Sequence, residues 1–280
     1  PWNFVRDGRV IFRDLIASER LLFYEEGITA TASTTATDDG DLYFSMDGKV
    51  EADTSPRGMV VQRMIGHLPM LFHPDPKIVM NLGLGAGVTF GALGCYPVAH
   101  LEVVEIEPAV TNVVNLWAAH NHAIGARTDK IVTINDGRNH LFCTPLRYDV
   151  ITSDPFEPVV SGASHLFTVE HFAQAREKLA EGGIMGQWVP MYEMSERDFL
   201  TILRSFVHVF PKSAIFFTGV DTMMLGFKGE MKLDAAAVRA KFGIPAVSNS
   251  LADVGLTKPE MILGMLVADM SQGADFIGEG

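Results

Sequence analysis

The sequence predicts an α/β fold with a mostly parallel sheet, preceded by a small antiparallel β unit. From residue 78 onward, short apolar runs alternate with segments of helical spacing, which is typical of parallel strands joined by helices. Before them, residues 21–50 are rich in Thr, Ala, Tyr and Phe. Turn signals at Asp38-Asp39-Gly40 and Asp47-Gly48 divide this stretch and indicate hairpins.

The individual elements follow in chain order. Apolar positions at helical spacing predict a helix over residues 59–72, which Pro74 and Pro76 end. Short apolar runs then predict parallel strands over residues 78–82, 101–104, 131–134, 150–152 and 183–188.

An Asp-containing turn between residues 214–218 and 222–227 predicts an antiparallel hairpin at the sheet edge. The tail over residues 233–270 is predicted to be helical. We therefore expect an N-terminal β domain over residues 1–55 and an α/β domain over residues 56–280, with a helical C-terminal tail.

Composition restricts the class of function. The chain has 280 residues and a formal net charge of −12, and this acidity disfavours nucleic acid as a partner because phosphate backbones require a basic surface. The same charge is compatible with a cationic substrate. The sequence contains no apolar run of about 18 residues and no signal-peptide layout, so we expect a cytoplasmic location. Because the chain begins at Pro1, we expect it to be part of a longer protein.

Cysteine and histidine usage predicts no metal site. Cys95 and Cys143 occur in unrelated contexts, without a CxxC pair, and we expect two reduced structural thiols. The nine His residues form no HExxH motif or other ligand cluster, so we expect them at surface or capping positions.

The strongest local motif is Gly83-Leu84-Gly85-Ala86-Gly87, between the predicted strand 78–82 and a predicted helix over residues 88–94. Glycines there let the backbone turn tightly and approach a ligand at the carboxyl edge of the sheet. A purely structural turn is the alternative. We expect Gly83, Gly85, Ala86 and Gly87 to contact a nucleotide-like ligand, and the lack of GxxxxGK[ST] argues against ATP.

Acidic residues follow the next two strands. Glu105, about 20 residues after the glycines, is placed to accept hydrogen bonds from a ribose diol, with a solvated carboxylate as the alternative. Glu107 is expected to start the following helix. Asp136 and Gly137 follow the third strand, where Asp136 can accept from an adenine amino group, although Asn-Asp-Gly is also a common turn.

A carboxylate pair, Asp154 and Glu157, lies on a Pro-rich loop after the fourth strand. Such a pair can hold a cationic amine, and one member can take its proton and so create a nucleophile. A loop with two solvated acids is the alternative. Gln187 and Tyr192 flank the end of the fifth strand, where we expect them to hydrogen-bond a substrate.

Taken together and in this order, these motifs resemble the signature of spermidine synthases, the polyamine aminopropyltransferases. The resemblance extends over about residues 21–227, and it is particularly similar to synthase-like domains fused to membrane transporter-like segments in bacterial proteins. The matching segments are Tyr24-Glu25-Glu26-Gly27, Leu42-Tyr43, Asp47-Gly48-Lys49-Val50, His67-Leu68-Pro69, GLGAG, VEIE, DGR, DPFEP, His165-Leu166-Phe167-Thr168 and Gln187-Trp188.

The resemblance implies a Rossmann-like, methyltransferase-type core and transfer of an aminopropyl group from decarboxylated S-adenosylmethionine to an amine, releasing methylthioadenosine. By this resemblance Glu105 holds the ribose, Asp136 the adenine, Asp154 is base and amine anchor, and Glu157 helps to bind the acceptor. No tightly bound cofactor is implied. A homodimer and covalent attachment to a membrane domain outside this chain are compatible with it.

Several positions depart from the family pattern. Ala86 stands where the family's loop usually carries an Asp that contacts the propylamine end of the donor, so intact S-adenosylmethionine is also a candidate ligand. Glu51, expected near the acceptor, stands where the family usually has Gln. Residues 56–61 replace an acidic, Tyr-containing helix start, and Arg63 is expected to bring positive charge near the amine site.

These departures leave two further hypotheses open besides aminopropyl transfer. The first is a methyltransferase that uses intact S-adenosylmethionine. The second is a non-catalytic nucleoside-sensing domain of a membrane protein.

Overall fold

The computed structural model describes residues 5–6, 9–10, 19–156, 158, 162–192, 194–219 and 221–272. A short antiparallel pair, β1 (Val5–Arg6) and β2 (Arg9–Val10), comes first. An antiparallel sheet follows, as predicted. Its strands lie in chain order and are β3 (Glu19–Glu26), β4 (Thr31–Thr37), β5 (Leu42–Met46) and β6 (Lys49–Asp53).

A second, larger sheet forms the centre of the molecule. Its strands are β7 (Ile78–Leu82), β8 (His100–Glu105), β9 (Lys130–Ile134), β10 (Tyr148–Ser153), β11 (Leu179–Val189), β12 (Ser213–Phe217), β13 (Thr222–Phe227) and β14 (Leu266–Asp269). They lie in the order β14-β12-β13-β11-β10-β7-β8-β9. The pairings from β11 to β9 are parallel, whereas β13 and β14 pair antiparallel with their neighbours. The predicted parallel strands and the antiparallel hairpin are confirmed.

The helices connect these strands and cover the sheet. They are α1 (Pro56–Phe72), α2 (Val88–Leu93), α3 (Val110–Val113), α4 (Gly137–Cys143), α5 (Val169–Lys178), α6 (Glu196–Val209), α7 (Ala235–Lys241), α8 (Pro245–Ala252) and α9 (Pro259–Leu263). The prediction of a wholly helical tail is wrong, because β14 pairs with β12 and so lies outside the predicted edge hairpin. In the described part of the chain, no helix combines the length and apolar character that a membrane crossing requires.

Helix α1 lies across the central sheet and begins three residues earlier than the apolar spacing predicts. Ser55 caps its N-terminus by accepting a hydrogen bond from the Gly58 N–H at 3.1 Å, and Pro56 occupies the first turn, where its missing N–H costs nothing. A Cβ on Gly66 would lie 2.6 Å from the carbonyl oxygen of Thr89. This glycine therefore lets α1 approach α2 closely.

Lys241 caps the other end of α1. Its buried ammonium donates to the carbonyl oxygens of Met70 and His73, and it lies 3.4 Å from that of Leu71. A positive charge is favourable at a helix C-terminus, where carbonyl groups lack intrahelical partners. Burial lowers the pKa of Lys241 to about 8. The tail is thereby fastened to α1.

A buried polar network joins α1 to the tail a second time. The Ser250 hydroxyl oxygen lies 2.6 Å from Arg63 Nη1 and 2.8 Å from the Nε2 atoms of both His67 and His122. Arginine can only donate, so its contact with His122 Nε2 requires that nitrogen to be unprotonated. Ser250 then donates to His122 and accepts from His67, whose Nδ1 lies 3.0 Å from the Tyr96 hydroxyl. The expectation of surface histidines is wrong for His67, which is fully buried.

This network predicts acid-sensitive folding. Burial, together with the Arg63 charge, lowers the pKa of His67 from its ordinary 6.5 to about 3 and that of His122 to about 4. Below pH 6.5 the unfolded chain binds protons that the folded chain does not, so stability falls as the pH decreases from 6.5 towards these values. Replacing His67 by Gln should flatten this slope by about 1.4 kcal/mol per pH unit, the value for one proton.

Urea unfolding across this pH range measures the slope. The exposed His208→Gln is the matched control and should keep the wild-type slope. An unchanged slope in His67→Gln would contradict the prediction.

Glu107 holds the small sheet against the large one. It follows β8, is 1% exposed, and its Oε2 accepts hydrogen bonds from the Thr29 N–H at 2.6 Å, the Thr29 hydroxyl at 2.9 Å and the Ala30 N–H at 3.2 Å. Its Oε1 accepts from the Ala109 N–H at 3.0 Å. Burial alone would raise the pKa of Glu107, but these donors outweigh it and lower the pKa. Besides preceding α3, Glu107 therefore links the small sheet to the large one.

Replacing Glu107 by Gln should destabilise the protein by about 2 kcal/mol or more, because the amide NH₂ would face N–H donors that lose their charged acceptor. Chemical unfolding measures the loss. Replacing Glu25, a partly exposed acid of β3 that accepts from Asn112, by Gln is the matched control and should have little effect. Equal stability of the two variants would contradict the role assigned to Glu107.

Candidate active site

A cavity of about 860 Å³ opens at the carboxyl edge of β7, β8 and β10. The small sheet contributes one wall through residues 44–53, and the N-terminal half of α1 contributes another. Ligands of open α/β sheets bind outside the carboxyl ends of their strands. The cavity therefore lies where the fold class places a substrate.

The glycine loop forms part of the cavity wall. Gly83, Gly85 and Gly87 have φ angles of 90°, 49° and 81°, in the left-handed region that favours glycine. A Cβ on Gly83 would lie 2.6 Å from the carbonyl oxygen of Asp154. Ala86 also lines the cavity but is only 3% exposed. The loop is thus both a tight structural turn and a surface that a ligand can approach.

Glu105 lines the cavity and holds the loop in place. Its Oε2 accepts from the Leu84 N–H and its Oε1 from the Glu107 N–H, both at 2.8 Å. Burial raises the pKa of Glu105, and these backbone donors oppose the increase. The alternative of a solvated strand-end carboxylate is excluded by this burial.

Asp136 and Gly137 lie on the cavity wall at the start of α4. Asp136 is exposed and caps the helix, since its Oδ1 accepts from the Asn139 N–H at 2.8 Å. A helix cap and a carboxylate on the cavity wall therefore coexist at this position.

Asp154 lies in the cavity wall next to α2. Its Oδ2 accepts a hydrogen bond from the Thr89 hydroxyl at 2.7 Å. Burial raises the pKa of Asp154 from 3.8 to about 6, the Thr89 hydrogen bond acts to lower it, and the Asp221 carboxylate raises it further. A carboxylate with such a pKa can exchange a proton near neutral pH.

Thr89 has one hydroxyl hydrogen and two acceptors within reach, because the carbonyl oxygen of Gln62 is also only 2.9 Å away. When Asp154 is ionised, the hydrogen goes to the carboxylate. When Asp154 is protonated, it donates to Thr89, whose hydrogen then turns to Gln62. The bond to the charged carboxylate is the stronger, so Thr89 favours the ionised form.

The structure places some of the remaining predicted site residues on the cavity wall and others elsewhere. Glu51 and Tyr192 line the cavity, and Glu157 falls outside the described residues. Gln187 is fully buried outside the cavity lining, and its Nε2 donates to the Trp188 carbonyl at 2.9 Å. Successive side chains of a strand point to opposite faces of the sheet. Because Trp188 faces the cavity, Gln187 faces the other side, which corrects its predicted contact with the substrate.

Arg63 also departs from expectation. Its guanidinium is buried in the network with Ser250 and His122, and it is not among the residues that line the cavity. It therefore brings no positive charge to the cavity wall. Among the described residues, no group of three His, Cys, Asp or Glu side chains is placed to hold a metal ion.

Sequence reasoning missed Thr89 and Asp221, which both bear on Asp154. Asp221 belongs to the turn that predicts the β12–β13 hairpin, and its closeness to the carboxyl edge of the parallel strands was a usable signal. Thr89 carries no such signal, because an isolated Thr two residues after a glycine loop has many structural uses.

Comparison with known proteins decides the family. Residues 58–240, more than half of the chain, match the family model described as the spermine/spermidine synthase domain. The chain belongs to the spermine/spermidine synthase family.

Curated relatives carry the name polyamine aminopropyltransferase. One from Streptococcus uberis is 28% identical over 172 residues, which are 60% of each chain. One from Agathobacter rectalis is 28% identical over 193 residues, 68% of this chain and 64% of the relative. The matches thus span less than two thirds of these relatives' own lengths.

Solved spermidine synthases share the fold. A spermidine synthase in complex with the transition-state analogue AdoDATO superposes with a TM-score of 0.69 at 20% identity, covering 83% of this chain and 88% of that chain. Spermidine synthase from Thermotoga maritima gives a TM-score of 0.67 with the same identity and coverage. The family members therefore have the small antiparallel sheet and the Rossmann-like core in common with this chain.

Replacing Thr89 by Val should raise the pKa of Asp154 above 6 by about one pH unit, because the ionised carboxylate loses a charge-assisted donor. Thr89→Ser keeps the hydroxyl and should leave the pKa near the wild-type value. Carbon-13 NMR of the aspartate carboxyls as a function of pH measures it, with Asp154→Asn to assign the signal. An equal pKa in all three proteins would contradict the prediction.

Proposed function

We propose that this chain is an aminopropyltransferase that moves an aminopropyl group from decarboxylated S-adenosylmethionine to an amine and releases methylthioadenosine. The observation that carries the proposal is the position of Asp154, a partly buried carboxylate with a pKa of about 6, in the same cavity as the glycine loop, Glu105 and Asp136. The names of the relatives and of the superposed structures support the same reaction.

The nucleoside half of the donor fits the β7–β8–β9 side of the cavity. In this proposal Gly83, Gly85 and Gly87 let the backbone lie close to the donor, Glu105 accepts from the ribose and Asp136 from the adenine amino group. Both carboxylates keep acceptor capacity after the backbone hydrogen bonds described above, since an ionised carboxylate has about four lone-pair sites.

The acceptor is proposed to bind beside Asp154, with Glu51 and Tyr192 around it, and a role of Glu157 in binding stays a prediction from the sequence. The carboxylates that line the cavity outnumber the cations, which favours a positively charged substrate. The acidic members are Asp47, Glu51, Asp53, Glu105, Asp136, Asp154 and Asp221, against Lys49, Arg57 and Arg138.

The chemical step is a displacement at the carbon next to the sulfonium. The bound ammonium first gives a proton to Asp154, and the freed nitrogen lone pair then forms a bond to this carbon while the C–S bond breaks with its electron pair moving to sulfur. Since the sulfonium is already a good leaving group, the protein's tasks are positioning and proton removal. Asp154 can accept the proton only when ionised, so activity should decrease as the pH falls below about 6.

Ala86 favours one second candidate, a methyltransferase that uses intact S-adenosylmethionine. Its methyl side chain presents no carboxylate on the loop side of the cavity, so nothing there repels the α-carboxylate of the intact donor.

A homodimer, attachment to a membrane domain, a cytoplasmic location, a nucleoside-sensing role and a domain boundary after residue 55 stay predictions.

One set of titrations and assays separates these candidates. Calorimetry should show that the wild type prefers decarboxylated over intact S-adenosylmethionine, and product analysis should detect methylthioadenosine when an amine is added. Asp154→Asn should retain methylthioadenosine binding and reduce turnover at least about 100-fold.

Preference for the intact donor together with methyl transfer would replace the proposal by the second candidate. Nucleoside binding without turnover in the wild type would indicate a sensing role. Full activity of Asp154→Asn would remove that residue from the chemistry.

A further inference from the structure

Two carboxylates approach the cavity from different strands of the central sheet. Asp154 directly follows β10, and Asp221 directly precedes β13. Because β13 runs antiparallel to β11, its start lies at the same edge of the sheet as the end of β10. One strand, β11, separates the two, which places their backbones about 10 Å apart at the usual strand spacing.

Asp221 is held rigidly at this edge. It is 3% exposed, its Oδ2 accepts from the Trp188 indole N–H at 3.1 Å, and its Oδ1 lies 3.4 Å from the Met191 backbone nitrogen. The Thr218 hydroxyl donates to the Asp221 carbonyl oxygen at 3.0 Å and so fixes the turn. Asp221 and Trp188 both line the cavity.

The Asp221 carboxylate disfavours the ionised form of Asp154, and a positive charge held between the two acids relieves this repulsion. The groups that act on the Asp154 carboxylate are the neutral Thr89 hydroxyl and the negative Asp221, so no cation of the described protein offsets its charge. A carboxylate in this situation takes up a proton or binds another cation. On the glycine-loop side Ala86 supplies no charge, and Asp221 is the described acid whose charge acts on the Asp154 carboxylate.

We propose that Asp221 and Asp154 together bind the ammonium group of the amine substrate, with Asp221 as a specificity-determining residue. The inference rests on the aminopropyl transfer proposed above and names its substrate class, a primary amine that is positively charged when it binds. Trp188 keeps the Asp221 carboxylate turned towards the cavity. When the amine nitrogen gives its proton to Asp154, Asp221 keeps its contact with the substrate.

The test is a calorimetric titration of the full chain with 1,4-diaminobutane, in saturating methylthioadenosine and well above the pKa of Asp154. Asp221→Asn keeps an oxygen acceptor for Trp188 and should weaken diamine binding by roughly 10- to 100-fold. Asp39→Asn is the matched control, because Asp39 is an exposed acid in the turn between β4 and β5, outside the cavity lining, and its replacement removes the same charge. It should bind the diamine nearly as well as the wild type does.

A double-mutant cycle makes the test specific. If one ammonium contacts both acids, Asp154→Asn and Asp221→Asn together should cost less than the product of their separate effects. Methylthioadenosine affinity should stay unchanged in Asp221→Asn, which also reports on correct folding. If this variant does not fold, Asp221→Ser, which retains an acceptor for Trp188, replaces it.

The inference is overturned if the wild type does not bind the diamine, if Asp221→Asn binds it as the wild type does, or if Asp39→Asn weakens diamine binding equally. Its failure is distinguishable from failure of the proposed function. Diamine binding that depends on Asp221 without aminopropyl transfer supports the ammonium site and contradicts the reaction. Transfer with an unchanged KM for the amine in Asp221→Asn supports the reaction and contradicts the site.

Discussion

The cavity depends on one buried carboxylate, that of Glu107. Its two oxygens accept hydrogen bonds from the turn between β3 and β4 and from the start of α3, so a single side chain joins the two sheets. A buried charge is stable only when its hydrogen-bonding capacity is used, which fixes the distance and the orientation of both partners. The small sheet is consequently held where residues 44–53 close the open edge of the large one.

The acids at this edge differ in which groups donate hydrogen bonds to their carboxylates. This difference separates the acids with a structural role from the acid that is proposed to exchange a proton. Glu105 and Glu107 receive several backbone donors, which are fixed in the fold and cannot follow a moving proton. Asp154 receives one hydroxyl, which can reverse its direction, and it lies in the field of a second acid. The first arrangement suits a rigid contact with a ligand, whereas the second suits proton exchange.

Sequence reasoning predicted the features that depend on local pattern. Parallel strands are buried on both faces and read as short apolar runs, so β7, β8, β10 and β11 could be located. The glycine loop was recognisable because a turn with three left-handed residues requires glycines. Gln187 was misassigned because successive side chains of a strand alternate between the two faces of the sheet. The sequence alone does not fix which residues face the cavity, and Gln187 points away from it. Thr89 and the Arg63–Ser250 contact could not be predicted, since their partners lie 65 and 187 residues away in sequence.

The position of Lys241 bears on how much of the chain makes one folding unit. The segment related to the family model ends at residue 240, one residue before the lysine that satisfies the last carbonyls of α1. Ser250, the acceptor for the buried Arg63 guanidinium, lies further on. Helix α1 also forms a wall of the cavity at its other end. A shorter protein that stopped at residue 240 would leave a buried cation and a helix terminus unpartnered, so the folding unit extends beyond the segment that matches the family model.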